Sequence, residues 1–481
     1  MRSAVAPFLL VVLVIALPFS LRSRVDAADD AGDPVVVVTS HNDVIRYEFG
    51  HAFREYMRER GRSVHVEWRA PGGTGEVFRM ISRPGVHDID VVFGGGSANF
   101  VDLAAKKRLA DSGILRRHPE LFGPEAIPQS MAGSPYWDAE GRWVGAALST
   151  FGICYNSDSL SRLSIPSAPS QWTDLADPRY LDQLALADPS RAGSAQKAFE
   201  MIVQQQIHAV VAERGALGTP GEPAAVGEGW SRAMRLIRKI SANARYFTDG
   251  ASKIPLDVAT GNAAAGMCID FYGRFQSESF GPSAAARLAF VAPRGGTTID
   301  ADPIGVLASA PHPALSAEFV DFVLSREGQA LWDFKVGVPL GPRRYALRRL
   351  PISRSLYDAQ YESSRSDPAV RPYTDGSALE YRPSWTGRLL PALTLLIDAM
   401  CVDSHDELTR AYRALVAGRF PPQATALFDD VSSVAYARAA GQVQPLLASG
   451  NTLGVLRLES ELVTEFRDQY ARVAELASEG R

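Results

Sequence analysis

LSTFGICYNSDSLSRLSIPSAPSQWTDLADPRYLDQLALADPSRAGSAQKAFE, residues 148–200, is the stretch that decides the fold. Residues 151–156 are β-rich and lead into a polar linker carrying Pro166 and Pro169. Residues 172–175 open a short helical turn, and residues 184–187 make a second apolar strand. That strand stops at Asp188-Pro189-Ser190, and a helix starts within 192–195. A helix whose first turn is Ala, Gly and Ser leaves backbone N–H groups ahead of the intrahelical ladder. At the carboxyl end of a strand, such a start suits an anion or a polar ligand.

The same pattern recurs upstream. Residues 35–38 are four valines ending in Thr39-Ser40-His41-Asn42, followed by an amphipathic stripe of Tyr47, Phe49, Phe53 and Met57. Residues 64–68 are a second strand, ending near Gly72-Gly73-Thr74-Gly75, with a helix over 76–81. Residues 89–93 are a third, running into Gly94-Gly95-Gly96-Ser97 and a helix over 100–105. Strand, polar turn and helix in succession predict a parallel sheet with helices on both faces.

The chain then crosses into a second lobe. It holds a helix over 196–206, a Gly/Pro-rich stretch over 215–229 that reads as a surface loop, and a helix over 230–240. Strands over 267–271 and 288–293 follow, and helices over 317–325 and 328–334 return to the first lobe. The last hundred residues read as mostly helical, with clear stripes at 389–398 and 408–416. The expected organisation is a signal peptide over 1–27, lobe 1 from 34–150 plus 294–383, lobe 2 from 151–293, and a helical extension over 384–481 packed on lobe 1. There is no internal repeat.

Composition narrows the function. The chain has 481 residues, 46% of them hydrophobic, and a formal net charge of −4, which speaks for a globular protein and against a nucleic-acid or anionic-membrane partner. Basic pairs such as Arg343-Arg344 and Arg348-Arg349 read as solvated faces or helix ends. Arg2 precedes an apolar run over 6–17 and the small-x-small sequence Val25-Asp26-Ala27, the form of an export signal. Arg22 and Arg24 leave an uncleaved anchor as the alternative. The three cysteines, Cys154, Cys268 and Cys401, have no zinc spacing; buried thiols are expected, with a 154–268 bridge left open.

No GxSxG, HExxH or dinucleotide fingerprint is present, and the Gly72–Gly75 loop lacks the Lys-Ser/Thr of a phosphate loop. Ligand binding is therefore expected rather than catalysis, with no cofactor. Strand alternation places Asp270 and Tyr272 on one face, where a carboxylate and a phenol suit a hard cation or a polar ligand. Asp300 and Asp302 read as a carboxylate pair in a solvated return loop.

Six segments, in order, carry a resemblance. They are VVVVTSHN (35–42), DIDVVFGGGSANF (88–100), GICYNSDSL (152–160), PSQWTDLADPRY (169–180), LALADPSRAGSA (184–195) and EFVDFVLSREGQALW (318–332). Residues 35–345 resemble a periplasmic solute-binding protein of an ABC importer, of the branch with ferric-ion, hexose-phosphate, phosphonate, polyamine and thiamine binders. The resemblance implies a type II fold: two doubly wound α/β lobes joined by strands crossing near 151–155 and 290–293. It implies a monomer in the periplasm or outside the cell, closing on a phosphorylated or carboxylated solute or ferric ion. The implied partners are an ABC permease and ATPase. The implied ligand-binding residues are Ser40, His41, Asn42, Gly73, Thr74, Gly96, Ser97, Thr150, Ser190, Gly193, Ser194, Asp270 and Tyr272. His41, Asp270 and Tyr272 are the expected metal ligands if the ligand is a cation. Ferric binders of this branch usually show adjacent tyrosines here, and Phe271 replaces one of them. An exported enzyme using Asp270 or His41 as acid/base, and a sensor whose C-terminal helices bind a partner, are the alternatives.

Overall fold

The computed structural model describes residues 32–480 except 84, 86, 280–286 and 375, and the side chains of 275–279 are also left out. The expected signal or anchor segment lies outside the described residues.

The first lobe begins with β1 (Asp33–Thr39), α1 (Asp43–Arg58), β2 (Val64–Arg69), α2 (Thr74–Ser82), β3 (Val91–Phe93) and α3 (Ser97–Ala105). β1 lies parallel between β2 and β3. Its valines are buried on both faces: Val35 and Val37 join the main core, while Val36 and Val38 join a second cluster with Val77, Ile81 and Phe100. A strand covered on both sides needs such a continuous β-branched run. Three glycines after β3, Gly94, Gly95 and Gly96, have positive φ, which lets the chain turn sharply into α3.

β4 (Trp143–Asn156) joins the lobes. It is followed by β5 (Leu184–Ala187), α4 (Gly193–Glu213), α5 (Glu222–Ala242), β6 (Ala244–Thr248), α6 (Lys253–Ala259), β7 (Ala265–Ile269) and α7 (Asp270–Ser279). β8 (Leu288–Val291) and β9 (Ile299–Leu307) return along β4. The strand order is β2-β1-β3-β9-β4-β7-β5-β6. β4 pairs with β9 over Trp143–Thr150 and with β7 over Phe151–Tyr155, so one strand belongs to both lobes. This is the two-lobed, crossing-strand architecture expected.

Two element readings are corrected. The stretch 215–229 is not all loop, because α5 starts at Glu222 with proline in its first turn, where a missing N–H costs nothing. Gly229 is there for packing: a Cβ would lie 2.4 Å from the Ile207 Cα of α4. The strand expected over 267–271 ends at Ile269, and Asp270 opens a helix, where an acid suits the first turn.

After α8 (Pro313–Leu324) the chain runs through β10 (Leu350–Pro351) into the extension, whose main helices are α9 (Leu390–Ile397), α10 (His405–Ala417) and α11 (Thr452–Ser478). The extension packs on lobe 2, not on lobe 1 as expected. Lobe 2 offers it the outer side of α4 and α5. Trp230 donates to the Val434 carbonyl at 2.8 Å, and the wholly buried Arg238 lies among the rings of Phe428, Phe466 and Tyr470 and donates to the carbonyls of Phe428 and Asp430. Leu390, Leu393, Leu396 and Ile397 are buried with them, each contributing about 1.5–3 kcal/mol. Of the described residues, Pro383–Val402 is apolar and long enough to cross a membrane, but 72% of that stretch is buried within the molecule.

Asp398 sits where α9 unwinds. Burial, followed by Asp188, Asp403 and Glu459, pushes its carboxyl up to about 8. The folded chain therefore holds this proton from about pH 4, the unfolded value, to about pH 8, and stability falls as pH rises across that window. Asp398→Asn is expected to raise Tm at pH 8 by roughly 2–5 °C and by less at pH 5. Calorimetry checks this; an equal change at both pH values contradicts it.

Candidate functional site

Between the lobes lies a cavity of ≈ 340 Å³. Lobe 1 supplies Ser40, His41 and Asn42 from the end of β1, Gly73 and Thr74 from the start of α2, and Gly96 and Ser97 from the start of α3. Lobe 2 supplies Gly193 and Ser194 from the start of α4 and Tyr272 from α7. Ten of the positions named from sequence thus share one hollow. Thr150, Ser190 and Asp270 do not line it. Thr150 faces Thr297 Oγ1 at 3.4 Å, and Ser190 donates to its own neighbour Asp188 at 2.6 Å. Asp270 is fully buried and accepts from Arg274 at 2.6 Å, because the helical turn puts it and Tyr272 on opposite sides.

Residues that sequence reading gave to solvent build the floor. Asp300 and Asp302 are not in a solvated loop: both are on β9, two apart, and therefore on one face. Asp302 Oδ1 accepts from the N–H of Gly95 at 2.7 Å and of Gly96 at 3.2 Å. Its Oδ2 lies 2.7 Å from Arg349 Nη2 and 3.0 Å from His41 Nε2. Arg349 is not solvated either; it is 2% exposed, donates to Ser149 Oγ at 2.9 Å, and lies 4.5 Å from the Phe271 ring centroid of lobe 2. Burial would raise the Asp302 pKa, but Arg349 and His41 outweigh it and hold the carboxyl well below the usual range. Burial lowers the His41 pKa despite Asp302, so the ring is neutral at pH 7. The glycine turn before α3 thus already holds an anion, the protein's own. Ser97 Oγ donates to Asp300 at 2.9 Å.

Lys197, also missed, is almost fully buried on α4. Its Nζ lies 2.9 Å from Glu200 Oε2 and 3.7 Å from Asp300 Oδ2. Burial opposes its charge, but Glu200, Tyr381 and Asp300 raise its pKa, so it stays protonated. The polar residues Lys197, Glu200 and Gln204, at helical spacing in an otherwise apolar helix, were the signal available in the sequence.

The starts of α2 and α4 differ from that of α3. None of the three makes a side-chain cap, but only the turn before α3 has a carboxylate, Asp302, on its N–H groups; Gly73 and Ala192 precede the other two. The two starts meet across the cleft: a Cβ on Gly73 would lie 2.6 Å from the Arg191 carbonyl oxygen, and one on Gly193 would lie 3.0 Å from Thr74 Oγ1. Two positive dipole ends this close favour an anion in the cavity beside them. Arg191, half exposed and 3.2–3.3 Å from Asp188 and Asp249, lines the same place.

Metal chemistry fits less well. Among the described residues there is no group of three or more His, Cys, Asp or Glu able to hold a metal ion. Tyr272 has Phe271 beside it rather than a second tyrosine, and Asp270 is spent on Arg274. Cys154, Cys268 and Cys401 are free and buried.

A family model described as bacterial extracellular solute-binding protein matches residues 88–353. An uncharacterized protein of Haemophilus influenzae is 25% identical over 193 residues, 40% of this chain, and the match spans about half (48%) of that relative's length. Among solved structures, the apo ferric ion-binding protein A of Pasteurella haemolytica is 13% identical, with a TM-score of 0.52 over 83% of this chain and 99% of that one. The substrate binding protein of the ABC transporter from Agrobacterium tumefaciens is 14% identical, with a TM-score of 0.52 over 76% of this chain and 95% of that one. At these identities the likeness is one of fold.

Proposed function

Because this chain belongs to the bacterial extracellular solute-binding protein family, we propose that it is a receptor that closes on a small anionic solute and delivers it to a membrane permease. Its compartment is the periplasm or the cell exterior, and its partner is an ABC permease with its ATPase. The solute class is a phosphorylated or carboxylated organic compound. The observation that carries this reading is the meeting of two uncapped helix starts, one from each lobe, beside Arg191. An anion in the cavity beside this seam can accept from the first-turn N–H groups of both. The cavity volume suits a ligand about as large as a sugar phosphate.

The charges lining the cavity support this. Arg349 and Asp302 neutralise each other, and Lys197 is matched by Glu200 and Asp300. Arg191 is matched in the same way by Asp188 and Asp249, so attraction for the solute comes from the helix starts, not from a bare field. Ferric ion is the weaker reading on the chemistry of Tyr272 and Asp270.

Calorimetric titration with inorganic phosphate, glucose 6-phosphate, citrate, spermidine and ferric citrate tests the proposal. Saturable binding of an anion, with the compound recovered unchanged, is the expected result. Binding of spermidine or iron alone, or turnover of a phosphate ester, overturns it.

A further inference from the structure

The polar stripe on α4 is matched along its length by residues beyond the region the family model covers. Gln196 Nε2 donates to Thr394 Oγ1 at 2.8 Å. Glu200 Oε1 accepts from Tyr381 at 2.8 Å and from Thr386 at 2.6 Å. Gln204 Nε2 donates to Thr386 Oγ1 at 2.7 Å. The Lys197 Nζ stands 3.9 Å from the Tyr381 ring centroid. Leu390 precedes Thr394 by one helical turn, hence on the same face of α9. With Gln196 and Lys197 it lines the cleft.

Resting on the solute-binding reading above, we propose that the C-terminal extension forms one wall of the binding site. Leu390 contacts the organic part of the solute and limits its size. Tyr381 and Thr386 are positioning residues: by fixing Glu200 they hold the Lys197 ammonium at the cleft. The extension is then part of the receptor's specificity, and its place on lobe 2 makes this wall move with α4 when the lobes close.

The test is the ratio of dissociation constants for glucose 6-phosphate and inorganic phosphate, measured on the full chain. Leu390→Trp fills the wall with a larger side chain and is expected to raise that ratio at least tenfold. Leu390→Phe, a smaller change whose folding is checked by its melting curve, is expected to move the ratio the same way by about threefold. A wild-type chain that binds neither glucose 6-phosphate nor inorganic phosphate overturns this proposal, and one that binds no anion of the panel, citrate included, overturns the anion reading with it. A wild-type chain that binds glucose 6-phosphate, with folded Leu390 variants that keep the wild-type ratio, overturns this proposal alone.

Discussion

Gly73→Val is expected to weaken solute binding by about 10–100-fold while leaving the melting temperature of the unliganded protein unchanged. Gly73 has φ −71°, which any residue adopts, so the backbone does not demand glycine. The demand comes from across the cleft, where the Arg191 carbonyl oxygen would lie 2.6 Å from a new Cβ. That atom is main chain and has no rotamer by which to move aside. On its own lobe the new Cβ meets only the flexible end of Glu76, at 3.2 Å; the hard clash lies where the lobes touch. It penalises the closed form alone, and a ligand that binds the closed form loses affinity by that penalty. Gly75→Ala faces the Ser190 carbonyl at 3.0 Å and is expected to show a smaller loss. Titration calorimetry with the tightest-binding anion, beside scanning calorimetry without it, separates the two quantities. A Gly73→Val protein that binds normally contradicts closure at this seam.

Asp302→Ala is expected to destabilise the chain by about 3–5 kcal/mol, because it leaves the Arg349 guanidinium buried without its carboxylate. The N–H groups of Gly95 and Gly96 lose their acceptor in the same step. The pH dependence follows from the depressed Asp302 pKa. Its contribution is present above the unfolded value of about 3.9 and is lost as pH falls below that toward the folded one. The stability gap between wild type and Asp302→Ala is therefore widest above pH 5 and narrows on acidification. Urea unfolding at pH 7 and pH 3 measures it; a gap that is the same at both values would place the energy elsewhere. Ligand binding by any folded Asp302→Ala protein should also fall, since the turn that positions Ser97 rests on this carboxylate.

What sequence could reveal was set by the range of the interactions. Residues 35–38 and 184–187 are short β-branched or apolar runs ending in polar turns, and their neighbours in the sheet impose nothing that the runs do not already state. The helices of 74–82, 97–105 and 193–213 were legible for the same local reason, although the first two begin two and three residues before the expected 76 and 100. The floor was not. Arg349 meets Asp302 across 47 positions of chain, so its burial follows from the return of β9 beside β4, which no local pattern encodes. Asp270 misled because the alternation of residues 267–272 fits a strand, while the chain turns into a helix at that residue, whose carboxylate Arg274 holds one turn on. Gly227 and Gly229 looked like loop residues, yet Gly229 is where two helices approach closely. The extension's stripes predicted helices correctly but carried no information on which lobe they cover.

Interlobe distance is the most direct measure of the whole account. Spin labels at Lys106→Cys on lobe 1 and Glu213→Cys on lobe 2 sit on exposed positions, and the three native cysteines are buried. Pulsed electron–electron resonance on this doubly labelled chain should give a long, broad distance distribution without ligand. With a saturating anion it should narrow to a single shorter distance. An unchanged distribution, at anion concentrations where calorimetry shows full occupancy, would contradict a receptor that works by closing its two lobes on the solute.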